Sequence, residues 1–119
     1  MDLKYFTDEE FRKAQPSCSL SDMDEQFMLL LDSARELAGI PFKINSAYRS
    51  PEYEKTKGRA GTSRHCFGLA VDIACYTSDY RFRIIRSLIA VGFHRIGIGS
   101  NFIHVDLGYK GSEPIIWLY

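Results

Sequence analysis

The fold is decided by the stretch Ser63-Arg64-His65-Cys66-Phe67-Gly68-Leu69-Ala70-Val71-Asp72, which runs from a turn into a strand. From position 68 onward, apolar residues recur at every second position, at Leu69, Val71 and Ile73. Side chains alternate between the two faces of a strand. We therefore expect this apolar set to face a core and Asp72 to face the opposite side.

A second strand with two unlike faces is predicted at residues 102–106, where His104 and Asp106 share one face. If the two strands are neighbours, Asp72 and His104 can converge, and His65 can join them from the preceding turn. Two imidazoles and one carboxylate leave a fourth zinc position for water, as in catalytic zinc sites. Taken singly, each histidine can also be an ordinary polar residue, and Asp72 can be a helix cap or a salt-bridge partner.

The composition is typical of one globular domain. The chain has 119 residues, of which 45% are hydrophobic and 13% aromatic, so it can bury a core. No flexible stretch divides it, and we expect residues 1–119 to form a single domain. Fifteen basic and fifteen acidic residues cancel, which leaves no overall field to hold nucleic acid or an anionic membrane.

The three cysteines, Cys18, Cys66 and Cys75, are an odd number without CxxC spacing. This argues against a disulfide scaffold and favours a reducing compartment. The chain shows neither the apolar segment of a signal peptide nor a run long enough for a transmembrane helix. We therefore expect a cytoplasmic protein that another export route, or phage lysis machinery, releases. Nothing in the sequence indicates the oligomeric state.

The remaining pattern predicts an α+β fold in which helices pack on a small, largely antiparallel sheet. Helices are expected at residues 7–16, 21–38 and 78–92, the last burying Phe82, Ile85, Leu88 and Ile89. Strands are expected at residues 42–49, 68–74, 95–99, 102–107 and 115–119. Residues 52–64 show no sustained period and are predicted to be a loop.

Three blocks of the sequence resemble the zinc D-alanyl-D-alanine carboxypeptidase family, which includes phage endolysin peptidases and shares its fold with the Hedgehog signalling domain. The blocks are Ser46-Ala47-Tyr48-Arg49-Ser50-Pro51, residues 63–72 with Ser-x-His-x6-Asp, and residues 102–106 with His-x-Asp. The resemblance spans roughly residues 20 to 119. It implies a Hedgehog/DD-peptidase-like fold and a bacterial or phage origin.

The same resemblance implies roles for individual residues. His65, Asp72 and His104 would be zinc ligands. Arg49 would lie beside the substrate, where its guanidinium offers two parallel donors to a peptide carboxylate or carbonyl. Ser63 would form a hydrogen bond in the same cleft. The alternatives are a surface salt bridge for Arg49 and a hydrogen bond to the loop backbone for Ser63.

The general base is the open question. Many members of the family resembled carry Glu or Asp three residues before the last histidine ligand, where this chain has Asn101, and an amide cannot accept the proton. Asp106 and His94 are the two candidate substitutes. Asp106 can instead orient His104, and His94 can instead be a solvent-exposed turn residue.

These features lead to three hypotheses of function. The first is a zinc metallopeptidase that hydrolyses peptidoglycan stem peptides at a bond involving a D-amino acid, with the metal activating water and polarising the carbonyl. The second is a zinc-loaded, non-catalytic module that binds peptidoglycan or a protein. The third is a cysteine hydrolase built on Cys66 and a histidine, although a cysteine at this position is more often a small buried hydrophobic residue.

Overall fold

The chain forms five strands: β1 (Ile44–Ser46), β2 (Ala70–Ala74), β3 (Arg95–Ile98), β4 (Phe102–Asp106) and β5 (Ile115–Leu118). They make one mixed sheet in the order β1-β2-β4-β3-β5. The computed structural model describes residues 1–119. Every neighbouring pair of strands is antiparallel except β3 and β5, which run parallel. The predicted α+β fold with a largely antiparallel sheet is therefore confirmed.

The four helices are α1 (Asp8–Arg12), α2 (Glu25–Ala38), α3 (Pro51–Thr56) and α4 (Ser78–Ala90). Helix α2 begins where the Asp24 carboxylate accepts the Phe27 N–H. It ends at Gly39, whose φ of 69° suits a residue without a Cβ. A 3-10 turn precedes it at Leu20–Asp22, in the first part of the predicted helix. None of the helices is long and apolar enough to span a membrane.

The sheet has one buried apolar face and one face that carries polar residues. On the buried face, Val71, Ile73, Ile103 and Val105 are fully shielded from solvent and join the core that includes α2 and α4. This confirms the alternation predicted for β2 and β4. We call the opposite side the site face, and its members on the central strands are Asp72, His104, Asp106, Gly97 and Arg95.

The buried side of α4 differs from the prediction. Phe82 is 63% exposed and Ile89 is 51% exposed, whereas Ile84 is buried. Leu88 is buried as expected. Apolar residues occur on more than one side of this helix, so helical spacing alone could not identify the side that meets α2 and the sheet.

The prediction of a loop at residues 52–64 is wrong for residues 52–56, which belong to helix α3. The Ser50 hydroxyl accepts the Tyr53 N–H, and Pro51 occupies the first helical position. Proline suits that position because its missing N–H is not needed there. A Ser-Pro pair that ends a strand therefore also starts a helix. The three cysteines are all free and buried.

Candidate metal centre

Two neighbouring strands and one turn bring two histidines and an aspartate together. Asp72 and His104 are direct cross-strand partners in β2 and β4. His65 lies in the 3-10 turn Arg64–Phe67, which ends at Gly68 just before β2. One candidate ligand atom from each residue lies within 4.8 Å of the others. The structure thus brings all three sequence-predicted metal ligands into one cluster.

Each histidine turns one ring nitrogen toward Asp72. His65 Nε2 lies 3.4 Å and His104 Nδ1 lies 2.9 Å from Asp72 Oδ1. The other nitrogen of each ring is held by the protein: His65 Nδ1 donates to the Ala47 carbonyl at 2.7 Å, and His104 Nε2 donates to Asp106 Oδ2 at 2.7 Å. These outer hydrogen bonds fix both ring orientations and leave the inner nitrogens to share one position with a carboxylate oxygen.

The charges of the cluster suit a bound cation. Burial raises the pKa of Asp72, but hydrogen bonds from His104 and His65 outweigh it and hold the pKa well below its usual range. Burial lowers the pKa of His104, yet hydrogen bonds to Asp106 and Asp72 raise it overall. A proton on His104 therefore balances the carboxylates, and a metal ion on the same inner atoms would replace that proton.

The Asp106 carboxylate accepts hydrogen bonds from two partners. Its Oδ2 accepts from His104, and its Oδ1 accepts from Arg95 Nε at 2.7 Å. The residue is 3% exposed. Burial raises the pKa of Asp106, but the hydrogen bonds from His104 and Arg95 lower it overall. This geometry fits the orienting role, because each carboxylate oxygen of Asp106 already accepts a hydrogen bond.

Arg49 reaches the cluster from the β1 side. Its Nη1 donates to Ser46 Oγ at 3.2 Å and lies 3.9 Å from Asp72 Oδ2. Its Nε lies 3.4 Å from Glu54 Oε1. The side chain is 17% exposed, so this arginine is a partly buried neighbour of the cluster and not only a surface charge.

Glu54 is the buried carboxylate behind that arginine, and it was not among the residues predicted from the sequence. It is 1% exposed and also accepts from Arg59 Nη1 at 2.6 Å and Ser63 Oγ at 3.0 Å. The Ser63 hydroxyl is therefore already engaged and supports Glu54. Cys66 is buried, and its thiol lies 3.8 Å from the same hydroxyl. The segment Pro51–Thr56 has no apolar spacing that could have marked Glu54 as an inner residue.

His94 and Asn101 lie outside the cluster. His94 is exposed and lines a groove with Ile96 and Ile89, on the side of β3 that faces the helices. The alternation of β3 places Arg95, not His94, on the site face. Asn101 is exposed in the turn between β3 and β4, where its backbone carbonyl accepts from Cys75 N–H. The structure therefore does not bring His94 within reach of the metal ligands.

Two further residues of the site face were not predicted from the sequence. Arg95 is the cross-strand partner of Asp106, and the hairpin register alone would have revealed it. The ring of Trp117 in β5 lies with its centroid 5.5 Å from that of His104. Its parallel pairing with β3 is a long-range contact that no local pattern indicates.

Comparison with known proteins agrees with this geometry. The family model of Peptidase M15 matches residues 4–106, which include the whole His65, Asp72 and His104 cluster. A search of curated proteins finds no match. Since the matched segment is most of the chain and contains every residue of the candidate centre, the chain belongs to the peptidase M15 family.

Proposed function

We propose that this protein is a zinc metallopeptidase that hydrolyses stem peptides of the bacterial cell wall at a bond involving a D-amino acid. Membership of the M15 family supports metallopeptidase activity. The observation that carries the proposal is the cluster in which ligand atoms of His65, Asp72 and His104 lie within 4.8 Å of one another. The proposal also includes zinc as the metal, a stem peptide as the substrate and a role for each neighbouring residue.

The donor set fits zinc. Two imidazole nitrogens and one carboxylate oxygen are a common ligand set of catalytic zinc sites, with one position left for water or substrate. The outer hydrogen bonds to Ala47 and Asp106 leave His65 Nε2 and His104 Nδ1 available as ligands. When bound, zinc would lower the pKa of a water molecule to about 7 and polarise a carbonyl group.

The remaining residues would orient the ligands and hold the substrate. Asp106, itself fixed by Arg95, would keep the His104 ring in place. Arg49, fixed by Glu54 and Ser46, would donate to a carbonyl or carboxylate oxygen of the substrate. Both residues act by position, and neither has to change its protonation state.

A cavity lies at the end of β2 and offers room for part of a substrate chain. Its volume is about 500 Å³, and its lining includes Ala74, Lys43 and Tyr76. Ala74 lies two residues beyond Asp72 in β2, so both side chains are on the same face of the strand.

A second candidate function is a zinc-loaded module that binds peptidoglycan without cleaving it. The hydrogen bonds of the nearby carboxylates favour this function. Asp106 accepts from His104 and Arg95, and Glu54 accepts from Arg59 and Ser63. Both oxygens of each carboxylate already accept a hydrogen bond, which opposes a role as general base. The side-chain amide of Asn101 cannot act as a general base either.

One experiment separates the two functions. Zinc-loaded protein is incubated with purified peptidoglycan and with a stem peptide that ends in D-Ala-D-Ala, and products are identified by mass spectrometry. We expect metal-dependent cleavage that is lost in His104→Ala and kept in His94→Ala, the matched histidine outside the cluster. Co-sedimentation with peptidoglycan without any product would support the binding module. If neither a product nor co-sedimentation is observed, both functions are contradicted.

A further inference from the structure

The last strand, β5, places two aromatic rings beside the candidate metal centre. The Trp117 ring lies 5.5 Å from the His104 ring, and Tyr119, which follows β5, lies 6.2 Å from Trp117 and 4.9 Å from Phe102, between ring centroids. These residues lie beyond residue 106, where the match to the family model ends. No role assigned so far uses them.

The absence of a side chain at Gly97 lets both rings approach the cluster. Gly97 is the cross-strand partner of His104 on one side and of Trp117 on the other. A Cβ at this position would lie 2.7 Å from the Trp117 indole and 2.7 Å from Tyr119 Cε2. The two rings therefore lean over Gly97, toward the row of the sheet that holds Asp72 and His104.

The orientation of Tyr119 matters because Cε2 is bonded to the carbon that carries the hydroxyl. With Cε2 over Gly97, the hydroxyl end of the ring, and not its Cβ end, is nearer to that row. Tyr119 is 68% exposed, so its ring is open to a ligand that lies on the site face. The Trp117 ring neighbours both the Tyr119 ring and the His104 ring.

The electrostatic surroundings of the hydroxyl agree with this placement. Partial desolvation raises the pKa of Tyr119, and the charges of Asp72 and Asp106 raise it further, while Trp117 and Arg49 lower it. The phenol therefore lies in the field of charged groups from the cluster. It keeps its proton near neutral pH and acts as a hydrogen-bond donor.

Arg49 and Tyr119 approach the cluster from opposite ends of the sheet. Arg49 comes from the β1 edge and Tyr119 from the β5 edge, and β2 and β4 with the metal ligands lie between them. A carbonyl group that binds at the cluster thus has a guanidinium on one side and a phenol on the other. Two donors in such positions can stabilise an oxygen that gains negative charge.

We propose that Tyr119 is a catalytic residue whose hydroxyl donates a hydrogen bond to the carbonyl oxygen of the scissile peptide bond. This rests on the proposed peptidase function. As the water oxygen bonds to the carbonyl carbon, the π electron pair moves to the carbonyl oxygen, and the phenol donates to it without giving up its proton. The carbonyl then re-forms as the C–N bond breaks, and the proton from the attacking water ends on the amine nitrogen.

The test uses Tyr119→Phe, which removes the hydroxyl and keeps the ring that packs on Phe102. Tyr5→Phe is the matched control, since Tyr5 stacks with Arg35 in the N-terminal segment. Zinc content, kcat and KM on a cleaved stem peptide, and the affinity for a phosphinate analogue of that peptide are measured for each protein. For Tyr119→Phe we expect kcat to fall roughly 10-fold or more, with KM changed less than about threefold and zinc content unchanged.

The phosphinate affinity is expected to fall by about the same factor as kcat/KM, because the analogue mimics the charged oxygen. Tyr5→Phe should match the wild type in every measurement. If the wild type cleaves the peptide and Tyr119→Phe cleaves it equally well, the role of Tyr119 is refuted and the peptidase function stands. If the wild type cleaves nothing, the peptidase function fails, and with it the catalytic role of Tyr119.

Discussion

Asp72 and His104 face each other across β2 and β4, with His104 Nδ1 2.9 Å from Asp72 Oδ1. Since two directly paired strand residues have a fixed separation, the sheet itself sets the spacing of two of the three candidate ligands. His65 completes the cluster from a turn that Gly68 ends with φ 69°. The centre is therefore preorganised by backbone elements, so metal binding should not require refolding.

Metal removal should lower the thermal stability of the protein. A ligand present at about 100 times its Kd stabilises the folded state by about 2.7 kcal/mol, which corresponds to roughly 10 °C in Tm for a chain of this length. Differential scanning calorimetry with zinc and with a chelator measures the shift. His94→Ala should show the same shift and His104→Ala should show almost none. Equal shifts in both variants would contradict the assignment of His104 as a ligand.

Asp106 should control metal affinity through His104. In Asp106→Ala the imidazole loses the acceptor of its Nε2 proton, and loss of such an outer partner typically costs 10- to 100-fold in affinity. A chelator-competition titration with zinc measures this. Asp79→Ala is the matched control, because Asp79 is exposed in the first turn of α4. An unchanged zinc affinity in Asp106→Ala would mean that His104 is oriented by other contacts.

The strands were predictable from sequence because their period is short and each has one plainly apolar face. Val71 and Ile73 identify the buried face of β2, and they place Asp72 on the other side without any further information. Helix α4 was harder, since Phe82 and Ile89 share helical spacing with Leu88 but lie outside the core. Which side of an apolar helix is buried depends on the neighbouring elements, which a local period does not contain.

The site was predictable to a similar extent. The three residues of the cluster stand in short motifs, and a resemblance to a known family was enough to select them. Glu54 was not found, because it lies in a helix that was assigned as loop. The position of Tyr119 beside the cluster could not be predicted, because it depends on a parallel strand pairing between distant segments. His94 was a candidate only because it precedes a strand of the site, and the strand turns it to the other side.

The side of α4 that is buried in the structure predicts a large loss of stability at one residue and a small one at its neighbour. Leu88 is fully buried and Ile89 is 51% exposed. Leu88→Ala should lower the free energy of unfolding by about 2–5 kcal/mol, whereas Ile89→Ala should change it by no more than about 0.5 kcal/mol. Urea denaturation of both variants measures the difference. Comparable losses would favour the side of the helix that the sequence period indicated.

Gly97→Ala should displace the aromatic rings of β5. The new Cβ would lie 2.7 Å from both Trp117 and Tyr119, and overpacking of this kind costs about 1–3 kcal/mol. Because Trp117 is the only tryptophan in the chain, its fluorescence and near-UV circular dichroism report directly on the change. Ser100→Ala, in the exposed turn of the same hairpin, should leave both spectra unaltered. Spectra of Gly97→Ala that match the wild type would show that the rings do not lean over this position.

Glu54 should stabilise the protein in a pH-dependent way. Burial raises its pKa, but hydrogen bonds from Arg59 and Ser63 and the charge of Arg49 lower it below the ordinary value of 4.5. A carboxyl whose pKa is lower in the folded than in the unfolded state contributes stability above the unfolded pKa and loses it as pH falls through the folded pKa. The contribution should therefore be complete at pH 7 and decline below about pH 4.5.

The variant Glu54→Gln isolates this effect because it keeps the shape of the side chain and removes the charge. Loss of charged hydrogen bonds should lower the free energy of unfolding at pH 7 by about 1–3 kcal/mol, and the difference from the wild type should shrink toward pH 3. Metal-free protein is unfolded in urea at both values. Glu9→Gln removes an exposed glutamate paired with Lys13, and it should have little effect at either pH. If the difference in free energy of unfolding between Glu54→Gln and the wild type stays constant from pH 7 to pH 3, the shape of Glu54 and not its charge stabilises the protein.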